Sequence, residues 1–139
     1  MKKLFKIVFF IFIFCNSLLA QNQFLEEGIN LFKNKKFKEA KFKFEKDIVF
    51  NPKSELSYLY LSKIFENLKK KDLQEQNLNS AILLNPKNEE AIFYLAKLKL
   101  ESSDYKKSKQ LNDRLNSICS KFCNESKKLK IEIENLSKK

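Results

Sequence analysis

The chain has no histidine and no tryptophan, and it has one glycine among its 139 residues. Without histidine it lacks the side chain most often used as a general base and as a metal ligand. A single glycine leaves no glycine-rich loop that could hold phosphate groups. Neighbouring carboxylates such as Glu89 and Glu90 point about 100° apart on a helix, so they cannot share a proton. The composition therefore argues against an enzyme, and it predicts no cofactor and no metal site.

The chain also has few residues that form turns, with Pro52 and Pro86 as its only prolines. Sandwiches and barrels need turn signals roughly every 8–12 residues, so the sequence argues against an all-β fold. Hydrophobic residues make up 43% of the chain and charged residues 32%, a balance typical of helices with one buried face. The length suits one domain. The sequence thus predicts an all-α fold.

Arginine is nearly absent, since Arg114 is the only one, although the formal net charge is +11. Arginine is the usual reader of bases and phosphates, and here the lysines are scattered among 17 acidic residues. We interpret the excess charge as a solvated basic surface with some attraction to anionic envelope polymers. The sequence predicts no nucleic-acid partner.

The first twenty residues follow the order of a secretory signal peptide. Three lysines at the start precede an apolar run from Ile7 to Phe14, and small Ala20 comes directly before Gln21. The run is much shorter than the roughly 20 residues that a membrane-spanning helix needs. We therefore predict a signal peptide over residues 1–20, cleaved after Ala20, and a periplasmic or secreted protein. The alternative is an uncleaved N-terminal anchor. Lipidation at Cys15 is rejected because bulky Phe14 precedes it.

The strongest pattern is a repeat. The tripeptide Asn-Pro-Lys begins at Asn51 and again at Asn85, 34 residues later, and flanking residues recur at the same offset. A fixed period of this length indicates stacked supersecondary units, each unable to bury its apolar face alone. In the first unit, apolar or small residues at helical spacing precede a corner at residues 34–36. A second helix then runs to Pro52, which cannot continue it.

These residues resemble the tetratricopeptide repeat (TPR) motif, which has a large apolar residue, Leu-Gly, an aromatic residue, Ala, Phe and a closing Pro at fixed spacing. The first unit matches it at Phe24, Gly28, Leu31, Ala40, Phe44 and Pro52, and the second at Tyr58, Leu61, Ser62, Phe65, Leu78, Ala81 and Pro86. Glu27 and Gln74 depart from it. Small residues at positions 28, 62 and 96 would allow close helix–helix contact.

The resemblance covers residues 21–118 and implies a solenoid of three helical hairpins, over residues 21–54, 55–88 and 89–118. The third unit is weaker, because Lys99 and Asn112 stand where apolar residues are expected and no proline closes it. Apolar residues at helical spacing continue from Phe122 to Leu136, which predicts a C-terminal capping helix within residues 119–139. A helix continuous with the preceding one is the alternative.

Cys119 and Cys123 are the cysteines that remain after the predicted signal. An even count in an exported protein favours a disulfide, and a corner over residues 117–124 would ease its geometry. Two buried thiols remain an alternative, as do a redox role and metal binding, although two thiolates without histidine make a poor zinc site.

The resemblance further implies a concave groove that is lined by the first helix of each unit and binds a protein or peptide. The groove residues it implies are Leu25, Ile29, Phe32, Leu59, Tyr60, Lys63, Phe93, Tyr94 and Lys97. Tyr60 and Tyr94, like Lys63 and Lys97, lie one repeat apart. A rigid aromatic ring beside a lysine suits the binding of an extended or helical peptide.

Members of this family that bind a peptide's terminal carboxylate carry lysines, asparagines and an arginine at several of these places. This chain has Leu25, Ile29, Tyr60, Glu90 and Tyr94 there, which argues against capture of an acidic C-terminus. We therefore expect an exported bacterial adaptor without catalytic activity. The alternatives are a membrane-anchored assembly factor, a self-associating structural protein, and a thiol redox protein that uses Cys119 and Cys123. A separate alternative is that some of the groove rings belong only to the core.

Overall fold

The computed structural model describes residues 23–137, and within that range it has seven helices and no strand. The helices are α1 (residues 23–33), α2 (Phe37–Phe50), α3 (Glu55–Asn67), α4 (Lys71–Leu84), α5 (Glu89–Glu101), α6 (Tyr105–Ile118) and α7 (Cys123–Leu136). The predicted all-α fold of three helical hairpins and a capping helix is confirmed. The predicted signal peptide and the cleavage after Ala20 lie outside the described residues. None of the helices in this range is long and apolar enough to cross a bilayer.

The helices stack in chain order. From α2 onwards each helix packs against the next one, and α7 contacts both α6 and α5. Two apolar clusters fill the stack. One lies around Phe44 and Ile64 in the first hairpin and α3, and the other extends from α3 through α7 around Ile92 and Leu115. Because α7 places Leu129 and Ile133 in the second cluster, it covers the apolar end of the third hairpin.

The first helix of each hairpin ends in the same way. Residues 35, 69 and 103 have φ of 59°, 56° and 61°, the left-handed region that usually favours glycine. The N–H of the following residue bonds five residues back in each case, as Lys36 does to the carbonyl of Leu31. These are Schellman motifs, which satisfy the last carbonyls of the helix. The corner predicted at residues 34–36 therefore recurs every 34 residues. Its left-handed position is occupied by lysine at 35 and 69 and by serine at 103.

The corners between hairpins contain the two prolines. The N–H of Ser54 donates to the carbonyl of Asn51, and that of Asn88 donates to the carbonyl of Asn85, both at 3.0 Å. Each proline occupies the second position of such a turn, where its fixed φ is favourable. The side chain of Asn85 also donates to the Glu55 carboxylate at 3.0 Å. The second corner is thereby tied to the start of α3.

Polar residues in the third hairpin make specific contacts where the motif has apolar ones. Lys99 Nζ lies 2.6 Å from Glu75 Oε1 of α4. Asn112 is 2% exposed, and its Nδ2 donates to the carbonyl of Ser126 in α7 at 3.1 Å. These two residues link the third hairpin to the helices before and after it.

The short connection between α6 and α7 is fastened at two points. Cys119 directly follows α6 and Cys123 begins α7, and a disulfide joins them with their Cα atoms 5.3 Å apart. The Glu89 carboxylate of α5 accepts from the N–H groups of Ser120, Lys121 and Phe122 at 2.8, 2.9 and 2.9 Å. It also accepts from the Ser120 hydroxyl at 2.7 Å. The N-cap residue Phe122 makes no side-chain capping bond. Glu89, from a distant part of the chain, satisfies the N–H of Phe122 and the two N–H groups before it, and so fixes the connection that leads into α7.

The hydrogen bonds that Glu89 accepts from Phe122 and Ser120, and then from Lys121, lower its pKa from 4.5 to about 2. Glu89 and Glu90 both lie in the first turn of α5, where carboxylates also complement the helix dipole.

Gly28 of α1 is the place where substitution is expected to disturb helix pairing most directly. A Cβ atom there would lie 2.7 Å from Cε1 and 2.9 Å from Cδ1 of Phe44, whose ring is fully buried. We expect Gly28→Ala to lower the free energy of unfolding. Overpacking costs about 1–3 kcal/mol, whereas alanine in a helix returns about 1 kcal/mol. Urea unfolding would measure the difference. Lys33→Ala, on the exposed side of the same helix, is the control; a stabilised Gly28→Ala variant would contradict the close approach.

The Glu89 contact predicts a pH dependence of stability. A carboxyl whose pKa is lowered by folding stabilises the protein fully above its ordinary pKa of 4.5, and this contribution is lost as the pH falls towards about 2. Glu89→Gln should therefore melt at a lower temperature than the unmodified chain at pH 7, and the difference should shrink steadily below about pH 4.5. Glu125→Gln, in the exposed first turn of α7, is the matched control. If the difference in melting temperature between Glu89→Gln and the unmodified chain stays constant from pH 7 to pH 2, the ionised Glu89 carboxylate contributes nothing to stability.

Candidate functional site: the tyrosine surface

The first helices of the second and third hairpins bring two tyrosines together with charged residues of α3 and α5. We call this set the tyrosine surface, and it consists of Tyr60, Lys63, Glu66, Glu90, Phe93, Tyr94, Lys97 and Glu101. Its members are partly exposed except for Glu101, which is exposed. Residues three or four apart lie on one side of a helix, and so this spacing collects them on the same side of α3 and of α5.

Tyr60 is fixed from below by rings of the first hairpin. Its ring stacks on Phe44 with the centroids 5.1 Å apart and meets the edge of Phe32 at the same distance. Offset stacks and edge contacts of this kind are favourable ring arrangements. Tyr60 therefore belongs partly to the core, and it presents a ring in a fixed position rather than a mobile one.

Lys63 lies between the two tyrosines. Its Nζ is 4.9 Å from the Tyr60 ring centroid and 5.7 Å from the Tyr94 centroid, and 2.5 Å from Glu90 Oε1. Its side chain is only 17% exposed. One ammonium group thus joins α3 to α5 through two cation–π contacts and one ion pair.

Lys97 lies one repeat further on and has a looser environment. Its Nζ is 3.5 Å from Glu66 Oε1 and 3.8 Å from Glu101 Oε1, and its side chain is 44% exposed. Exposed ion pairs of this type contribute little stability because water screens them. The two lysines that are equivalent in the sequence therefore differ in the structure: Lys63 is held and Lys97 is accessible.

Burial raises the pKa of both tyrosine hydroxyls. Nearby carboxylates raise it further, Glu90 and Glu26 for Tyr60 and Glu90 and Glu66 for Tyr94. Both phenols therefore remain protonated near neutral pH, where each can donate and accept a hydrogen bond.

Aromatic residues continue the surface towards the capping helix. The Phe93 ring contacts Tyr94 edge-on with centroids 5.5 Å apart and contacts Phe122 at 5.6 Å. Phe122 is in the connection whose amides Glu89 holds. The position of α7 and the end of the tyrosine surface are thereby set by the same few residues.

The sequence-predicted groove residues do not all reach this surface. Leu59 is 2% exposed and packs in the core with residues of α4 and α5, so its assignment to the groove is wrong. The reason is helical geometry, because Leu59 lies about 100° around α3 from Tyr60. Leu25, Ile29 and Phe32 of α1 are partly buried and pack against the first core cluster. The structure brings the remaining five together.

Several residues of the site were missed from the sequence. Glu66 and Glu101 had no motif to mark them, and Phe122 was assigned only to the cap. Outside the tyrosine surface, the sequence did carry a signal for a buried polar contact: Asp47 is fully buried in α2, where the second repeat has Ala81. Its carboxylate accepts from the Ser57 hydroxyl at 2.6 Å, and Ser57 falls where the next repeat has Ala91. Asp47 and Ser57 thus stand where the following repeat has alanines. When a carboxylate and a hydroxyl replace two alanines together, they are expected to pair with each other.

The tyrosine surface combines several groups that make non-covalent contacts. It offers aromatic faces, two phenol hydroxyls, ammonium groups and carboxylates, which together suit the binding of a peptide side chain. Among residues 23–137, no group of three or more His, Cys, Asp and Glu side chains has the arrangement of a metal site.

No protein-family model matches the chain, and no curated protein matches it. Solved structures do match. The type III secretion chaperone SycD of Yersinia enterocolitica, in complex with a peptide of the translocator YopD, is 15% identical with a TM-score of 0.76, over 86% of this chain and 95% of that one. The TPR2B domain of yeast Sti1 is 15% identical with a TM-score of 0.78, over 85% and 98%.

A third match is the first TPR domain of RPAP3 bound to the HSP90 peptide SRMEEVD. It is 20% identical with a TM-score of 0.70, over 82% of this chain and 93% of that one. At these identities the likeness concerns the fold. Together with the 34-residue period and the recurring corners, it establishes that residues 23–137 of this chain have the fold of tetratricopeptide-repeat domains.

Proposed function

We propose that this chain is an exported adaptor that binds a segment of another protein at the tyrosine surface and carries out no covalent chemistry. The observation that carries the proposal is the pair Tyr60 and Tyr94, held one repeat apart with Lys63 between them. Rings that are already fixed lose little entropy on binding, and their protonated hydroxyls remain available for hydrogen bonds.

The fold supports this proposal by analogy. Two of the similar structures, SycD and the RPAP3 domain, contain a bound peptide. The same scaffold serves unrelated assemblies, so the analogy supports peptide binding and does not identify a partner. Glu66, Glu90 and Glu101 on the tyrosine surface also make an acidic peptide terminus a poor ligand there, in line with the departures seen in the sequence.

Self-association is a second candidate, and exposed apolar residues favour it. Val49 is 75% exposed and Leu83 is 82% exposed, and the two lie one repeat apart near the ends of α2 and α4. Exposed apolar side chains mark a contact surface when they form a contiguous patch, and these two occupy equivalent places on successive hairpins. In this reading the chain would pack against a second copy through α2 and α4 rather than through the tyrosine surface.

Site-specific photo-crosslinking distinguishes the two candidates. With p-benzoyl-phenylalanine at position 97, we expect an adduct with a different polypeptide in intact cell envelopes, because the Lys97 side chain is 44% exposed on the tyrosine surface. The same amino acid at position 83 is the matched control and should give no such adduct. When Tyr94→Ala is combined with the photo-reactive residue at position 97, the yield of the adduct with the other polypeptide should fall while the helical content stays unchanged. An adduct of twice the chain mass from position 83 alone would favour self-association instead.

Export is tested by the mass of the mature protein. We expect the chain recovered from the cell envelope to begin at Gln21, because a small residue precedes that bond. Ala20→Tyr should prevent the cleavage, whereas Leu19→Val should leave it unchanged. A mature chain that still begins at Met1 would contradict cleavage and would favour the membrane-anchored alternative.

A further inference from the structure

Lys63 occupies a cation site that is built from other residues. The Tyr60 and Tyr94 rings flank its ammonium group at 4.9 and 5.7 Å, and Glu90 binds it at 2.5 Å. Two aromatic faces and one carboxylate are what recognise an ammonium or guanidinium group in a protein. The cation in this site is the Lys63 ammonium group of the chain itself. Its presence indicates that the site accepts an alkylammonium group.

The charges around the site favour a cation as well. The carboxylates of Glu26 and Glu66 act on the same two tyrosines, in addition to Glu90. Lys97, the other lysine on this surface, is engaged by Glu66 and Glu101. Carboxylates therefore outnumber ammonium groups around the two rings, and removal of the Lys63 ammonium would leave uncompensated negative charge there.

The Lys63 ammonium can be exchanged for a cation of a bound segment. Its unbranched stem can rotate to place the charge in water, where an ammonium group is well solvated. A lysine or arginine side chain of a bound segment would then make the same ion pair and the same ring contacts. One cation remains in the site after the exchange. Binding must overcome a tethered competitor and the loss of the tie that Lys63 makes between α3 and α5.

We propose that Tyr60, Tyr94 and Glu90 form a binding site for an alkylammonium or guanidinium group, which Lys63 fills in the free protein and a basic side chain of the bound segment takes over. The site itself rests on geometry alone, whereas its use by a peptide rests on the proposed function. The partner segment is accordingly basic at the point where it crosses α3 and α5.

A titration with n-butylammonium chloride tests the site without any peptide. The readout is the nuclear magnetic resonance signals of ring-labelled tyrosines, at ionic strength kept constant with potassium chloride. We expect saturable shifts of the Tyr60 and Tyr94 signals in Lys63→Met, which keeps the length of the stem and removes the charge. Lys109→Met, an exposed lysine of α6 outside the tyrosine surface, is the matched control and should respond as weakly as the unmodified chain. Absence of saturable shifts in Lys63→Met would overturn the proposal.

Glu90 provides a second test of the same site. The double variant Lys63→Met with Glu90→Gln should bind n-butylammonium about tenfold more weakly than Lys63→Met alone, because it lacks a charge-assisted contact. Equal binding with and without the carboxylate would overturn its assignment as the anion of the site. If Lys63→Met loses helical content, Lys63→Gln, which is polar and uncharged, takes its place in both titrations.

Three capped nonapeptides extend the test to the proposed function. They alternate leucine and alanine around one central residue, which is lysine, norleucine or glutamate. For Lys63→Met we expect the lysine peptide to bind most tightly and the glutamate peptide most weakly; the reverse order would overturn the proposal. Binding of n-butylammonium without binding of any peptide would support the cation site and contradict peptide binding at the tyrosine surface.

Discussion

The close approach of paired helices at one small residue per hairpin is the constraint on which the whole stack depends. Gly28 faces the ring of Phe44, and the equivalent Ser62 and Ala96 are also buried, at 1% and 0% exposure. Protein interiors are packed so closely that even one additional methyl group must be accommodated by its neighbours. The spacing within the hairpins sets where the next hairpin can dock, and hence how Tyr60 and Tyr94 are placed on either side of Lys63.

Charged contacts then join neighbouring hairpins on both sides of this apolar frame. Lys63 pairs with Glu90 and Lys99 pairs with Glu75, and the lysine side chains are only 17% and 18% exposed. Partly exposed pairs contribute modestly to stability, but they restrict the orientation of the helices that carry them. For the tyrosine surface this restriction has a functional consequence, because its rings and charges are already arranged before a ligand arrives.

The C-terminal end of the stack depends on contacts that are distant in sequence. Glu89 holds residues 120–122, which lead into α7, and Phe122 in turn packs on Phe93. The disulfide between Cys119 and Cys123 encloses the same three residues. Terminal repeats of a solenoid need a cover for their apolar face, and here one carboxylate positions both that cover and the end of the candidate site.

The sequence by itself determined the helical repeat, because the 34-residue period, the two prolines and the small residue of each hairpin are local signals. It also indicated the tyrosines, since they recur at that period. Only the tertiary structure decided that Leu59 points into the core, and that non-glycine residues hold the left-handed corners at 35, 69 and 103. It likewise decided that Lys63 and Lys97 have different environments, and that Glu89 reaches residues 120–122. These outcomes depend on distances between residues far apart in the chain, and a period along the sequence carries no information about such distances.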